Sequence, residues 1–119
     1  MCGPYNFLIT MNLLEQGLLK YLTKEQLAQI QSVKVGIGGA GGLGSNVAMM
    51  LVRTGFNNLE ILDHDVIDPS NLNRQQYFSD EVGQPKVDVT KNHLLGVNPD
   101  LKIVIHRIKW SSEIGDQYF

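Results

Sequence analysis

Val33-Lys34-Val35-Gly36-Ile37 is a β-branched run that passes through Gly38 into Gly39-Ala40-Gly41-Gly42-Leu43-Gly44, and this junction decides the fold. Apolar residues that end in glycines predict a buried first strand feeding a tight turn. A helix is expected from about Leu43 to Thr54, with Val47, Ala48, Leu51 and Val52 on its apolar face and Gly55 ending it in a left-handed conformation. Leu59-Glu60-Ile61-Leu62 then reads as a second strand. At a turn between strand and helix, backbone N–H groups approach phosphate oxygens and the helix offers its positive end to the same anion. Gly39, Gly41, Gly42 and Gly44 are the candidates for that role, although a bare GxGxxG also fits close packing of helix on strand.

On the N-terminal side, Leu13, Leu14, Leu18 and Leu19 recur near a helical period, and Thr23-Lys24-Glu25-Gln26 has the form of a capping box before Leu27 and Ile30. Two short helices are expected there. On the other side, His64 to Gly83 is polar and turn-rich, which predicts a long ordered loop of functional kind. Pro85 suits the first turn of a helix running to about Leu95, with Val87, Leu94 and Leu95 facing the core and Asn98-Pro99 closing it. Lys102 to Arg107 alternates as a third strand. Ser111 and Ser112 offer a helix cap, but Phe119 is expected to arrive before a helix develops. The sum is an α/β fold, a Rossmann-like parallel sheet flanked by helices and truncated after its third strand. Residues 12–119 are read as a single, partial nucleotide-binding domain, preceded by a leader or disordered start over residues 1–11.

With 119 residues, 43% of them hydrophobic, the chain suits one domain with a real core. Ten Lys plus Arg against twelve Asp plus Glu leave a net charge of −2, which is no electrostatic footprint for nucleic acid or an anionic membrane. No apolar run approaches the roughly 20 residues that span a bilayer, and no basic-then-apolar leader opens the chain, so a soluble cytoplasmic protein is expected. Cys2 is the sole cysteine, which excludes an internal disulfide and a four-cysteine zinc site, and its terminal place argues against a nucleophile. His64, His93 and His106 have no metal-ligand spacing, and no nucleophile elbow is present. Tyr77 and Phe78 are expected to pack the long loop down.

Asp63 follows Gly44 by nineteen residues at the end of the second strand, where a carboxylate accepts from ribose hydroxyls. Asp68, before Pro69, reads as turn chemistry, and Asp65 either orients the loop or adds negative charge. The run Ser70-Asn71-Leu72-Asn73-Arg74-Gln75, with Lys86 beyond it, separates the functional readings. A dinucleotide-dependent dehydrogenase needs no second pair of cations aimed at a phosphate tail. Nucleotidyl transfer does, because charge develops on the phosphoryl oxygens and the leaving pyrophosphate, and fixed cations and amide donors lower that barrier.

Three blocks in order, GAGGLGSN at Gly39 to Asn46, LDHDVIDPSNLNRQ at Leu62 to Gln75 and VGQPKV at Val82 to Val87, resemble the ThiF/MoeB/HesA family, which shares fold and adenylating chemistry with the ubiquitin-activating enzymes. The wider phrase from Leu51 to Phe78 looks most like the compact ThiF proteins of thiamin biosynthesis. The resemblance implies that the C-terminal glycine carboxylate of a ubiquitin-like sulfur carrier, one ending in Gly-Gly, is adenylated by ATP with Mg2+ assisting. It also implies roles: Gly42 and its neighbours cradle the phosphates, Asp63 holds the ribose, Asn71 and Arg74 contact the triphosphate, and Lys86 stabilises the transferring group, while Ser70 and Asn73 in the same run are further candidates for binding the nucleotide. Exposed strand edges favour pairing, so a homodimer is expected as well. The chain departs from the family pattern in three ways. The family's magnesium-binding aspartate is expected beyond Phe119, no Arg precedes Arg53, and the paired Cys-x-x-Cys zinc motifs are absent. Two alternatives accompany this reading: a non-catalytic nucleotide- or carrier-binding module, and an NAD-dependent oxidoreductase, in which Asn71, Arg74 and Lys86 have no task.

Overall fold

A computed structural model describes residues 11–109 and 111–119; the expected leader, apart from Met11, together with Cys2 and Trp110, lies outside the described residues. Two short helices come first, α1 (Leu13–Leu18) and α2 (Lys24–Gln31). Each opens on a capping box, Asn12 with Glu15 and Thr23 with Gln26, so their first-turn N–H groups are satisfied locally. Strand β1 (Val35–Gly38) leads through the glycine turn into α3 (Gly42–Thr54) and then β2 (Asn58–Leu62). The long segment after β2 is ordered by two 3-10 turns, Pro69–Asn73 and Ser79–Glu81, before α4 (Lys86–Val97), β3 (Lys102–His106) and α5 (Ser112–Tyr118). Gly55 closes α3 at φ 115°, the left-handed region where a side chain would be strained. Pro85 stands as the N-cap of α4 rather than within its first turn.

The three strands are parallel and lie in the order β1-β2-β3, giving a Rossmann-like α/β fold. Register sets the two faces. Val35, Leu59 and Ile103 align, as do Ile37, Ile61 and Ile105, and these residues belong to one core with Ala48, Val52, Val87, Leu94 and Leu101. The alternate positions, Gly36-Glu60-Val104 and Gly38-Leu62-His106, belong to the opposite face. Both crossover helices pack against the first face, and because the strands are parallel every C-terminal strand end delivers its following loop to the same edge of the sheet.

On the second face Glu60 is buried and accepts from Lys34 Nζ and His106 Nε2, each at 2.8 Å. The Lys34 bond holds its carboxyl below the ordinary value of 4.5 against the opposing push of burial, and the His106 bond adds to the lowering. A carboxylate depressed on folding adds stability that is complete above the unfolded value and disappears as pH falls through the folded one. Urea denaturation across pH is therefore expected to show wild-type stability falling below about pH 4.3, with that component missing in Glu60→Gln. Superimposable pH profiles for the two proteins would exclude the role.

The C-terminus corrects an expectation. Helix α5 does form over Ser112–Tyr118, with Ser111 Oγ accepting from the Ile114 N–H at 3.2 Å. Helices this short depend on packing more than on propensity, and α5 finds a surface on the second face. The Tyr118 ring lies 4.3 Å from that of His106, and the Phe119 ring occupies the space a side chain at Gly36 would need. Periodicity alone could not show that a glycine strand would leave that room.

Candidate nucleotide site

The glycine turn is held from behind by its own geometry. Gly39 has φ 120°, and its N–H donates to Leu62 O at 2.7 Å, pinning the turn to the end of β2. At Gly44 a Cβ would lie 2.0 Å from Gly39 O, so that glycine exists for close approach of α3 to the turn. Gly41 and Gly42 differ: a Cβ there would meet only Gln75 Nε2 at 3.8 Å, or Arg74 Nε at 3.5 Å and its neighbouring carbons. Thus Gly39 and Gly44 shape the cradle, whereas Gly41 and Gly42 leave room for something to approach it.

Three carbonyls of the turn, those of Ala40, Gly41 and Gly42, are tied down. Ala40 O accepts from Tyr77 Oη at 2.6 Å, Gly41 O from the Ser45 N–H at 2.9 Å and Ser45 Oγ at 2.5 Å, and Gly42 O from Asn46 Nδ2 at 2.5 Å. The N–H groups of Gly41, Gly42 and Leu43 have no partner among the described residues, and α3 carries no side-chain N-cap. Fixed carbonyls and open N–H groups at the start of a thirteen-residue helix have the form that suits an anion.

Asp63 is buried, and both its oxygens accept from main chain: Oδ2 from Ala40 at 2.6 Å, Oδ1 from Asp65 at 2.8 Å. It is therefore a structural tie between the turn and β2 before it is a ligand group. Each oxygen keeps a second lone pair, and the residue borders a pocket of about 210 Å³ with Gly39, His64, Asp65 and Lys109, the place expected for a ribose.

The segment after Asp68 wraps the other side of the turn. Asp68 Oδ2 accepts from Ser70 N–H at 2.9 Å and Ser70 Oγ at 2.6 Å, which holds its carboxyl below the ordinary range and confirms it as turn chemistry. Asn71 is buried with its Oδ1 accepting from the Asp68 N–H at 2.8 Å. Ser70 and Asn71 thus shape the loop with the groups the sequence had offered to a ligand. Arg74 Nη1 donates to Ser70 O at 3.2 Å and Asn73 Oδ1 at 2.9 Å, which aims its side chain along Gly42. Lys86, the first residue of α4, is 6% exposed with Asp65 Oδ2 at 3.8 Å, beyond hydrogen-bond length. A buried ammonium compensated by the exposed carboxylates of Asp65 and Asp68, with neither in hydrogen-bond contact, favours a further anion nearby.

Several residues here had no assigned role in the sequence reading. Ser45 and Asn46 fasten the wrapping loop to α3: Asn46 Nδ2 donates to Arg74 O at 3.0 Å, Gln76 Nε2 to Asn46 Oδ1 at 2.5 Å, and the Gln76 N–H to Ser45 Oγ at 3.3 Å. Their signal was polarity in the first turn of an otherwise apolar helix. Tyr77 is buried as expected, but its hydroxyl also bonds Thr90 Oγ1 at 3.1 Å, and burial pushes its pKa up to about 12, so it stays a neutral donor to Ala40. Phe78 corrects the packing expectation, being 65% exposed, with its ring tilted against that of His93 at 5.2 Å between ring centres. Tyr77→Phe would leave the Ala40 carbonyl unpaired; a loss of about 1–3 kcal/mol in urea denaturation is expected, together with weaker nucleotide binding. A change below about 0.5 kcal/mol would contradict that role for the hydroxyl.

The observed donors suit a polyphosphate: open backbone N–H groups, a guanidinium beside Gly42 and a buried ammonium. They suit Mg2+ less. Asp63, His64 and Asp65 bring ligand atoms within 4.8 Å of one another, but both Asp63 oxygens are engaged and His64 Nε2 lies 3.1 Å from Asp65 Oδ1. That is not the set of free oxygens Mg2+ prefers. No helix among the described residues is long and apolar enough to cross a membrane.

A strand, glycine turn and helix with cations gathered at the carboxyl edge of a parallel sheet define a nucleotide-binding domain of the Rossmann type. Comparison with known proteins narrows the class: the chain belongs to the ThiF family, whose model matches residues 14–119. It is 37% identical over 105 residues to SUMO-activating enzyme subunit 2 of Dictyostelium discoideum, covering 86% of this chain and 16% of that protein. It is 34% identical over 97 residues to tRNA threonylcarbamoyladenosine dehydratase of Bacillus subtilis (strain 168), covering 81% of this chain and 38% of that one. Among solved structures it resembles the E. coli tRNA N6-threonylcarbamoyladenosine dehydratase TcdA in complex with ATP, with a TM-score of 0.80, 26% identity, and 86% of this chain against 42% of that one. E. coli MccB with MccA-N7isoASN gives a TM-score of 0.72 at 28% identity, covering 78% of this chain and 27% of that one. The chain thus spans less than half the length of each of these proteins.

Proposed function

We propose that this chain is the ATP-binding part of an adenylyltransferase that activates the C-terminal carboxylate of a protein or peptide as an acyl-adenylate. The observation that carries the reading is the row of open N–H groups at Gly41, Gly42 and Leu43 with the Arg74 side chain laid against Gly42. In the reaction a carboxylate oxygen bonds to the α-phosphorus of ATP, the bond from that phosphorus to the bridging oxygen breaks, and pyrophosphate leaves with the electron pair. The enzyme needs no nucleophile of its own. Arg74 and the turn N–H groups stabilise charge on the phosphoryl oxygens, Lys86 adds a cation, and Asp63 orients the ribose. Asn73 acts through Arg74, which it holds, and Ser70 and Asn71 act by shaping the loop. Magnesium accompanies the nucleotide, with ligands other than the engaged Asp63 pair.

The acyl substrate we favour is a ubiquitin-like carrier ending in Gly-Gly. The chain is similar to a SUMO-activating subunit and to Ubiquitin-like modifier-activating enzyme 5 of Caenorhabditis briggsae, while MccB, solved with MccA, supports a peptide carboxylate as the wider class. Within that class a sulfur carrier of thiamin biosynthesis in the cytoplasm is the narrower proposal, resting on the resemblance of Leu51 to Phe78. A homodimer is proposed from the edge of β1, which among the described residues has a strand neighbour on one side only. Incubation with ATP and such a carrier, followed by mass spectrometry, is expected to show the acyl-adenylate, and pyrophosphate exchange is expected to depend on the carrier. Carrier-independent exchange would overturn the reading. Carrier and ATP binding without adenylate would favour the second reading, a non-catalytic module, which the lack of a free-oxygen metal set among the described residues supports. An NAD-dependent oxidoreductase gives the paired cations Arg74 and Lys86 no role.

A further inference from the structure

Arg74, Gln75 and Gln76 are consecutive, and all three face the start of α3: Arg74 lies along Gly42, Gln76 is bonded to Asn46 and Ser45, and Gln75 places Nε2 3.8 Å from where a Cβ of Gly41 would stand. The first two have evident work. Gln75 is different, because its side chain makes no hydrogen bond among the described residues although only 8% of the residue is exposed, and its Oε1 is fully buried without a partner. Its main chain is satisfied, with the N–H donating to Asn71 O at 2.9 Å and the carbonyl accepting from the Tyr77 N–H at 2.9 Å. A buried unpaired acceptor is unfavourable, and native proteins hold few of them without a use. An unbranched apolar side chain of similar length would fill the same space without that penalty. What such a side chain lacks is a neutral N–H donor facing Gly41, and a carboxamide brings its oxygen along with its NH2 group.

We propose that Gln75 is a further binding residue of the site, its Nε2 donating to an oxygen of the phosphate seated on the Gly41 and Gly42 N–H groups. This rests on the nucleotide reading above and adds to it a residue that contributes no charge. A neutral donor beneath the turn completes the shell around a phosphate that Arg74 covers from the Gly42 side. It also explains why an acid is unsuitable at this position: a carboxylate of the same shape would set negative charge against the bound anion.

The experiment compares wild type with Gln75→Met in the full chain, following thermal unfolding without nucleotide and calorimetric titration with ATP. Gln75→Met is expected to unfold at the same or a higher temperature than wild type without nucleotide, since the unpaired oxygen is gone, yet to bind ATP at least tenfold more weakly. A purely structural residue gives the opposite pattern, lower thermal stability with unchanged affinity for the folded protein, and that result overturns the proposal. If Gln75→Met fails to fold, the wild-type chain decides: the Gln75 side-chain amide resonances shift on titration with ATP if the proposal holds and stay in place if it does not. Failure of the underlying reading looks different, because wild type itself would then bind no ATP.

Discussion

Gly44→Ala is expected to lose about 3 kcal/mol or more of folding stability and, with it, measurable ATP binding. The new Cβ would stand 2.0 Å from Gly39 O, an atom of backbone that cannot rotate aside. To relieve the overlap, α3 must withdraw from the turn by more than an ångström. That movement disturbs the bonds that fasten α3 to the wrapping loop, from Asn46 Nδ2 to Arg74 O and from the Gln76 N–H to Ser45 Oγ, so the open N–H groups and Arg74 lose their arrangement together. Gly17→Ala is the matched control, with nothing within 4 Å of its added Cβ in α1, and a gain of about 0.5–1 kcal/mol is expected there from helix propensity. Urea denaturation of both variants checks the pair. A Gly44→Ala protein within about 1 kcal/mol of wild type would mean that the glycine turn is not packed as described.

Arg74→Ala is expected to act on the ligand and leave the fold alone. The side chain is exposed, and its bonds to Ser70 O and Asn73 Oδ1 are surface contacts, so the unfolding temperature should move little. Removing a charge-assisted donor to phosphate costs about 1.5–3 kcal/mol, which corresponds to roughly 10- to 100-fold in the Kd for ATP. Where Arg74 meets charge that develops during transfer, pyrophosphate exchange should fall further, by about 10²–10³. Arg74→Lys should recover part of the affinity and less of the exchange, because an ammonium keeps the charge without the planar fork. Equal losses for Ala and Lys in binding would show that the geometry of the guanidinium, and not its charge, carries the contact. An Arg74→Ala protein that binds ATP like wild type would remove Arg74 from the site.

Much of this was legible in the chain because it lies in local pattern. The strand, turn and helix around Gly39 to Gly44 follow from residue types in direct succession, and Thr23 with Gln26 announces a helix start in four residues. The part that escaped depends on partners distant in sequence. Ser70 and Asn71 were offered to a ligand, yet they bond Asp68; only the folded loop shows that their polar groups are already in use. Asp63 was placed at the ribose, and its first task proves to be holding the Ala40 N–H. The Tyr77 hydroxyl, from the loop, joins Ala40 O of the turn to Thr90 Oγ1 of α4, a convergence no spacing rule encodes. Helix α5 was missed because its stability comes from the room above Gly36, which belongs to another strand. Burial without a partner, the property that singles out Gln75, likewise exists only in three dimensions.

In the function proposed for this chain, the turn at Gly41 and Gly42 receives the phosphates of ATP, held from one side by Arg74. Calorimetric titration of the chain with ATP and, separately, with NAD tests it most directly, wild type beside Arg74→Ala. Saturable ATP binding is expected, weakening by roughly 10- to 100-fold in the variant, with NAD bound much more weakly than ATP by wild type. Tighter binding of NAD than of ATP, or ATP affinity indifferent to the loss of Arg74, would contradict it.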